Sequence, residues 1–549
     1  MDANNVSVAI IGAGLSGLCA AIRLKEDVGI TQFTIYEASE DVGGTWLHNQ
    51  YPGCGCDVES HLYSFSFHPK PDWTCEYANQ PEIRSYISSV TDSYNLRPHI
   101  RFRTRVVSLN WNPVSAHWRL KLSISDPTSH KISLVDTTAS IVISAMGPLN
   151  VPAIPKNLDP KQFEGPIMHT AQWDTNVDLT GKKVAVVGNA ASGAQVVGDI
   201  VEKVGQLVVF QRTPNWIVPR SNFKYPAWMM WVFRNVPLVQ RIWRTLLFLR
   251  REVIFYNAFK PTNLLARLAA KQYRSLMKQS IPPHLRDTLI PNYAFGCKRV
   301  LVSSSYLPAL TNPKTTLVTT SISHLTPKGL QLTDTTHIDA DVVVLATGFD
   351  VQHLWRDTTI TGTDNETLAE KWTRAKDSYK GLAIHGFPNF YTLLGPYSGL
   401  AHSSVISIVE CQVNYIVQLV ARQIATNTPA LNVTRQAETD HVAFCEKGLE
   451  GSAWKTGGCK SWYIDSATGS PAALWPHTVS WFWWSTRKVD WTHHEPVMTA
   501  PRDTKFVHRS LTSLLALLVA LTAAHSRSPA LAKRVQEFVA RLSNILLGR

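Results

Sequence analysis

The chain has 549 residues and a mass of 61.2 kDa, with 44% hydrophobic and 17% charged residues. This composition can bury a large core and excludes a mainly disordered polypeptide. Lys and Arg outnumber Asp and Glu by 54 to 41, a formal charge of +13 that suits an anionic cofactor, a nucleic acid or a membrane surface. The eight cysteines are irregularly spaced and too few for a disulfide scaffold. Met1 to Val6 is polar and runs straight into an apolar stretch without a secretory pattern, so a reducing, intracellular compartment is expected.

Val8 to Ile11 reads as a buried strand, Leu15 to Leu24 as a helix and Phe33 to Tyr36 as the next strand. The first strand and helix are joined by Gly12-Ala13-Gly14-Leu15-Ser16-Gly17. In that pattern Gly12 makes the tight turn, Gly14 admits a pyrophosphate against the backbone, and Gly17 lets helix and strand pack closely. Glu37 ends the second strand, twenty residues past Gly17, where a carboxylate accepts a hydrogen bond from a ribose hydroxyl. Strand, glycines, helix and acid together suit an unphosphorylated adenine ribose, as in FAD or NAD.

The same order returns at Val184 to Val187 (strand), Ala194 to Val204 (helix) and Leu207 to Phe210 (strand). Here the phosphate motif is Gly188-Asn189-Ala190-Ala191-Ser192-Gly193, with Ala190 where the second glycine is usual. Its methyl crowds the point of phosphate approach. The second strand ends in Gln211-Arg212-Thr213 rather than in an acid, and an arginine there suits a 2′-phosphate. The unit reads as an NADPH site, or else as a degenerate unit that binds nothing. The expected class is therefore α/β, with two Rossmann-like dinucleotide-binding domains built on parallel sheets.

Between Tyr225 and Tyr293 the pattern is long, helical and rich in Trp and Arg, as in Arg241-Ile242-Trp243-Arg244. This reads as a helical insert, with an interfacial membrane segment as the second reading. Strands resume at Thr316 to Val318 and Asp341 to Leu345. The late aromatics Trp475 and Trp481-Phe482-Trp483-Trp484 are expected in the core, with pocket lining as the alternative. From Ala500 the tail carries eight basic and two acidic residues. Its apolar run Leu511 to Ala524 reaches about 21 Å as a helix, short of a roughly 30 Å hydrocarbon core. Leu531, Val535, Phe538, Leu542 and Ile545 then recur at helical spacing beside basic residues. The tail packs on its own domain or makes peripheral membrane contact. No repeat or nucleic-acid module stands out, so no nucleic-acid partner is expected.

Phe163-Glu164-Gly165-Pro166-Ile167-Met168-His169-Thr170-Ala171-Gln172-Trp173-Asp174 lies between the two glycine motifs. It resembles the FxGxxxHxxxW fingerprint of type I Baeyer–Villiger monooxygenases, class B flavoproteins with two dinucleotide-binding domains. The similarity runs from about Val8 to about Trp491. It includes Gly43-Gly44-Thr45-Trp46, Tyr51-Pro52-Gly53, Cys56-Asp57-Val58-Glu59-Ser60, Tyr63, Gly296-Cys297-Lys298-Arg299, Ala346-Thr347-Gly348-Phe349, Phe387-Pro388-Asn389 and Gly395-Pro396.

The resemblance implies that Gly44, Thr45, Trp46, Asp57, Val58 and Tyr63 contact FAD. It implies that Cys56, Gly188, Asn189, Ala190, Ala191, Ser192, Gly193, Ala194, Gln211, Arg212 and Lys298 contact NADPH. Arg299 and Asp57 would be catalytic: Arg299 stabilises an anionic C4a-peroxyflavin, and Asp57 orients Arg299 and balances its charge. Arginine suits that task because it keeps its charge at any working pH. The other reading of Arg299 is a second phosphate clamp beside Lys298. His169 would be a hinge between domains. Cys54 and Cys56 lack the CxxC spacing of flavin disulfide reductases, and no metal site is expected.

The implied activity is NADPH- and O2-dependent insertion of oxygen beside a ketone, giving an ester or lactone, with an apolar multi-ring natural-product ketone as the expected substrate. Alternatives are an N- or S-oxygenating flavin monooxygenase, an NADPH oxidase or reductase, and a membrane-surface binding protein with a vestigial cofactor fold. The expected domains are an FAD part at 1–149, an NADP part at 150–344 with its insert at about 220–293, a second FAD part at 345–499 and the basic tail at 500–549.

Overall fold

The structure is a computed structural model that describes residues 6–497 apart from 130, 352–354, 356 and 466–467. The tail, with the Leu511 to Ala524 run and the amphipathic stripe after Pro529, lies outside the described residues. The described residues up to Trp111 and from His117 to Val497 form one compact unit.

The unit is organised by two parallel sheets. In chain order their strands are β1 (Val8–Ile11), β2 (Phe33–Tyr36), β3 (Ile100–Arg101), β4 (Ile141–Ser144), β5 (Ile167–His169), β6 (Lys183–Val187), β7 (Gln206–Phe210), β8 (Thr315–Val318), β9 (Val342–Leu345) and β10 (Phe390–Thr392). The first sheet has the order β10-β4-β1-β2-β3 and the second β8-β7-β6-β9-β5. All neighbouring pairs run parallel. Strands β1, β4 and β9 are buried along their whole length, which explains their almost wholly apolar sequences VAII, IVIS and VVVL. The chain leaves the first sheet after β4, builds the second and returns to the edge of the first with β10.

Helix α1 (Leu15–Arg23) follows β1 and α2 (Ala191–Ile200) follows β6. Both depend on a glycine where helix crosses strand. A Cβ on Gly17 would lie 1.9 Å from the Gly12 carbonyl oxygen, and one on Gly193 would lie 2.2 Å from that of Gly188. Helix α2 starts three residues earlier than the sequence pattern suggests. Ala190 is extended and the helix opens directly after it. It ends at Ile200, where the Lys203 N–H bonds back to the Ile200 carbonyl in a turn.

Three helices fill the segment after β7: α3 (Ala227–Asn235), α4 (Pro237–Ala258) and α5 (Leu264–Ser280). Helix α4 packs against both of the others. Helix α6 (Val405–Thr426) is apolar and long enough to cross a membrane, yet most of it is buried, and it packs on α1 and on α7 (Val479–Thr486). The Ser404 hydroxyl caps its start, and Asn427 stops it in the left-handed region.

Two expectations need correction. Of the late aromatics, Trp475 and Phe482 are core residues, but Trp481, Trp483 and Trp484 are exposed. Val479, Phe482 and Thr486 of α7 share the buried face while Trp481, Trp483 and Trp484 fall outside it, so one short helix serves core and surface together. The second concerns the thiols. Cys297 and Cys459 form a disulfide, brought together where the Ala294 N–H bonds to the Gly457 carbonyl. The other six cysteines are free and buried.

Gly17→Ala is expected to lower stability by about 1–3 kcal/mol, because the new methyl has no room beside Gly12. A denaturation midpoint equal to that of the parent protein would contradict this close helix–strand approach.

Candidate active site

One continuous cavity of about 1740 Å³ runs past the carboxyl ends of β1 and β6. That is larger than the 300–1,000 Å³ or so of a typical single-ligand pocket. Its first lobe is the β1–α1 turn. Buried Glu37 accepts hydrogen bonds at both carboxylate oxygens, from Ala13 N and Ser39 N, each at 2.7 Å. These fix the carboxylate at the end of β2 while leaving lone pairs for a further donor. Gly14 and Gly44 face each other so closely that a Cβ on Gly44 would meet the Gly14 Cα at 3.1 Å. Gly44 also has φ 53°, so glycine is needed there twice over. Beyond it Thr45 opens a short helical turn, and the Trp46 Nε1–H donates to the Tyr63 hydroxyl at 3.1 Å. Buried Val58 and Cys56 adjoin them, with the Val58 N–H directed at the Cys56 sulfur.

The second lobe is the β6–α2 turn. Asn189 donates from its amide to the Gln211 side-chain oxygen (2.9 Å) and to the Thr213 carbonyl (2.8 Å). Gln211 is buried and donates in turn to the Thr288 carbonyl. This network braces the Gly188–Ala190 turn. Lys298 Nζ donates to the Thr213 hydroxyl at 2.6 Å. Burial, with the repulsion of nearby Arg212, holds its pKa below the usual lysine value. Two cations thus stand together at the end of β7, each lowered in energy by any dianion placed between them.

Arg299 and Asp57 meet on the wall that joins the lobes. Arg299 Nε donates to Asp57 Oδ2 at 2.7 Å and Nη2 donates to Oδ1 at 2.6 Å, a bidentate pair. Their side chains are 29% and 24% exposed, and both line the cavity. The Asp57 carboxylate raises the Arg299 pKa well above its ordinary value, against the opposing effect of burial. Burial by itself would raise the Asp57 pKa, but Arg299 outweighs it and holds the carboxyl below the usual range. The stability gained from the pair is therefore complete above the unfolded carboxyl's pKa of about 3.9 and is lost only as pH falls through the lower folded value. The pair is charged throughout the neutral range.

Asp57 is itself held from the helical insert. Arg251, on α4, donates to the Asp57 carbonyl at 3.3 Å and pairs with fully buried Glu59 at 2.7 Å. Arg250 also pairs with Glu59, and with Glu76 at 3.1 Å. Removing one partner from such a buried cluster costs about 3–5 kcal/mol. His169, on β5, accepts from Ala171 N at Nδ1 and lies edge-on to Phe349. Burial takes its pKa down to about 4, opposed by a bond with the Gly348 backbone, so the ring is neutral at pH 7.

With this geometry in place, comparison with known proteins is decisive. Residues 5–419 match the family described as flavin-binding monooxygenase-like. A Baeyer–Villiger monooxygenase of Streptomyces coelicolor is 37% identical over 498 residues, which cover 90% of this chain and 94% of the relative. One from Pseudomonas aeruginosa is 36% identical over 491 residues, covering 89% and 91%. The chain belongs to the Baeyer–Villiger monooxygenases of the flavin-binding monooxygenase-like family. It is an FAD- and NADPH-dependent monooxygenase. Among solved structures, cyclohexanone monooxygenase from Rhodococcus sp. Phi1 bound to NADP+ superposes with a TM-score of 0.79 at 26% identity, covering 89% of this chain and 99% of that one. Steroid monooxygenase bound to NADP gives 0.78 at 29% identity, with coverage of 89% and 99%.

Most residues singled out in the sequence line this enzyme's cavity: Gly12, Gly14, Glu37, Gly44, Thr45, Trp46, Cys56, Asp57, Val58, Tyr63, Gly188, Asn189, Ala190, Ala191, Ser192, Gln211, Arg212, Lys298 and Arg299. Three do not. Gly17, Gly193 and Ala194 are buried behind the wall, where α1 and α2 cross their strands. Gly17 and Gly193 allow that close approach. Sequence reading missed the Glu59–Arg250–Arg251 cluster. Nothing in the sequence marks it, because its partners are 191 and 192 residues apart.

Ala190 has φ −75° and ψ −166°, close to the −80° and −177° of Gly14, so the position does not require glycine. Its exposed methyl faces the cavity. Ala190→Gly is therefore expected to tighten NADPH binding a few-fold, about 1 kcal/mol, by relieving crowding without altering the turn. An unchanged or larger dissociation constant in rapid-mixing flavin reduction would contradict that placement.

Proposed function

We propose that this enzyme inserts one oxygen atom of O2 beside the carbonyl of an apolar ketone, yielding an ester or lactone. The observation that carries the reading is the Arg299–Asp57 pair on a cavity wall shared by two phosphate cradles. The residues present fit both cofactors. The Glu37 carboxylate suits the unphosphorylated ribose of FAD, and the Gly14–Gly44 approach leaves a backbone cradle for its pyrophosphate. Arg212 and Lys298 suit the 2′-phosphate of NADPH. We assign residues 1–149 and 345–499 to the FAD part and 150–344 to the NADP part.

FAD reduced by NADPH supplies the electrons for activating O2. The chain supplies charge, orientation and exclusion of water. Arg299 stabilises negative charge that develops on oxygen in the cavity, and its guanidinium keeps its proton, and so its charge, at working pH. Asp57 fixes the plane of that guanidinium through two hydrogen bonds and offsets the cost of a cation in a half-buried site. Arg251 steadies Asp57 from behind. Leu394, Leu400, Val405, Ile406, Val409 and Leu474 give the cavity apolar lining. That lining supports a bulky apolar ketone, and we infer a role in natural-product synthesis, inside the cell where NADPH is available. Permanent cationic charge at the wall favours ketone over heteroatom oxygenation, because attack on a carbonyl needs an anionic oxygen nucleophile.

Supplied with NADPH, oxygen-18 gas and a panel of cyclic and polycyclic ketones, the purified enzyme is expected to form an ester carrying one oxygen-18 atom. Oxygenation of sulfides or amines with no ester from any ketone would contradict the reading. So would hydrogen peroxide as the sole product.

A further inference from the structure

Helix α4 turns polar side chains inward and aliphatic ones outward. Its inward face mixes buried Leu247 and Phe255 with polar contacts: Gln240 donates to the Lys70 carbonyl at 2.8 Å, Arg244 donates to the Ser64 carbonyl at 3.0 Å, and Arg251 pairs with Glu59. Its Glu252 accepts from Val479 N and Ser480 N, each at 3.0 Å, which seats the start of α7 on the insert. The outward face is apolar. Leu238, Ile242, Leu246, Leu249 and Val253 follow at steps of three and four, so they share one face. They are 51–65% exposed and extend over about 22 Å. An ordinary surface helix keeps its outward face polar.

The neighbouring helices extend this character. Trp228 and Trp231 on α3 are more than 60% exposed, and Leu264 and Leu268 on α5 more than half. Trp481, Trp483 and Trp484 on α7 are likewise more than half exposed. Tryptophan is the side chain that most favours a membrane–water boundary. None of these residues lines the active-site cavity.

Charge selects the occupant. Residues 220–293 contain thirteen Lys and Arg against Glu252 and Asp287, a net +11 within a chain of +13. Among the described residues, Arg241, Lys260, Lys271 and Lys278 have no acidic partner and are exposed. A second copy of this chain would bring the same positive field against itself. The chain's own basic tail would do the same. Nucleic acid offers no apolar interior for the aliphatic stripe. An anionic phospholipid surface satisfies both halves of the pattern, phosphates for the cations and acyl chains for the Leu, Ile and Val side chains.

We propose that the outward face of α4, with the exposed tryptophans of α3 and α7, docks this enzyme on an anionic lipid bilayer. The helices lie in the interface and do not cross it. Docking of this kind does not depend on the oxygenation chemistry.

The test is sedimentation of the full-length, FAD-loaded enzyme with sucrose-filled vesicles. Binding is expected to mixed phosphatidylserine and phosphatidylcholine vesicles, and to weaken on phosphatidylcholine alone and at high salt. The triple variant Ile242→Glu, Leu246→Glu, Leu249→Glu is expected to bind the mixed vesicles at least about tenfold more weakly while retaining its flavin absorbance and NADPH oxidation. No binding by the parent enzyme would overturn the proposal. Undiminished binding by the folded variant would assign the contact to another segment and also overturn it. So would light scattering that finds a dimer in the parent, a monomer in the variant and no vesicle binding in either, because the face would then join two copies.

Discussion

The bidentate contact between Arg299 and Asp57 is the constraint on which the rest of the site depends. A guanidinium half out of water is costly unless a carboxylate meets it with good geometry, and here both hydrogen bonds are short. The two residues are 242 positions apart, so the contact exists only because the chain builds one nucleotide-binding sheet, leaves it for a second and comes back. The pair ties the loop after the first phosphate cradle to the loop after the helical insert. It also leaves a fixed positive charge facing a cavity that both cradles share. Both phosphate cradles and the Arg299–Asp57 pair thus border a single cavity.

The helical insert supports that arrangement from outside. Arg250 and Arg251 direct their charges inward to Glu59, whose neighbours in sequence include Asp57. The cost of turning arginines inward is met by a fully buried carboxylate, and Leu238, Ile242, Leu246, Leu249 and Val253 of the same helix are left facing out. The apolar outer surface of α4 and the rigid placement of Asp57 are therefore consequences of one choice of helix face. The disulfide between Cys297 and Cys459 adds a covalent tie two residues before Arg299, between its loop and the loop that leads to cavity-lining Trp462 and Tyr463.

Legibility from sequence followed the range of the interaction. The glycines, the strand-ending Glu37 and Arg212 are readable because local backbone geometry and the phosphate chemistry are written in short spans, whereas Lys298 comes from the family resemblance. Arg299 and Asp57 gained their roles from a family resemblance, since no spacing rule links residues 242 positions apart. The Glu59 cluster and the disulfide escaped because both are products of tertiary closure. Helix α2 was placed three residues late because Ala191, Ser192 and Gly193 look like loop by composition, whereas the extended Ala190 lets the helix begin at once. Hydrophobicity alone places the α7 tryptophans in the core, because it carries no information about which side of a short helix meets solvent.

The central claim is that Arg299 acts on oxygen chemistry and not on cofactor binding. The most direct measurement is the ratio of ester formed to NADPH consumed in Arg299→Ala, alongside the rate at which NADPH bleaches the flavin anaerobically. The account predicts that bleaching persists while the ratio falls at least about a hundredfold, as when one preorganised charge at a reacting oxygen is removed, with hydrogen peroxide replacing ester. Ester formation at the parent ratio would contradict it and would leave Arg299 as a phosphate clamp beside Lys298.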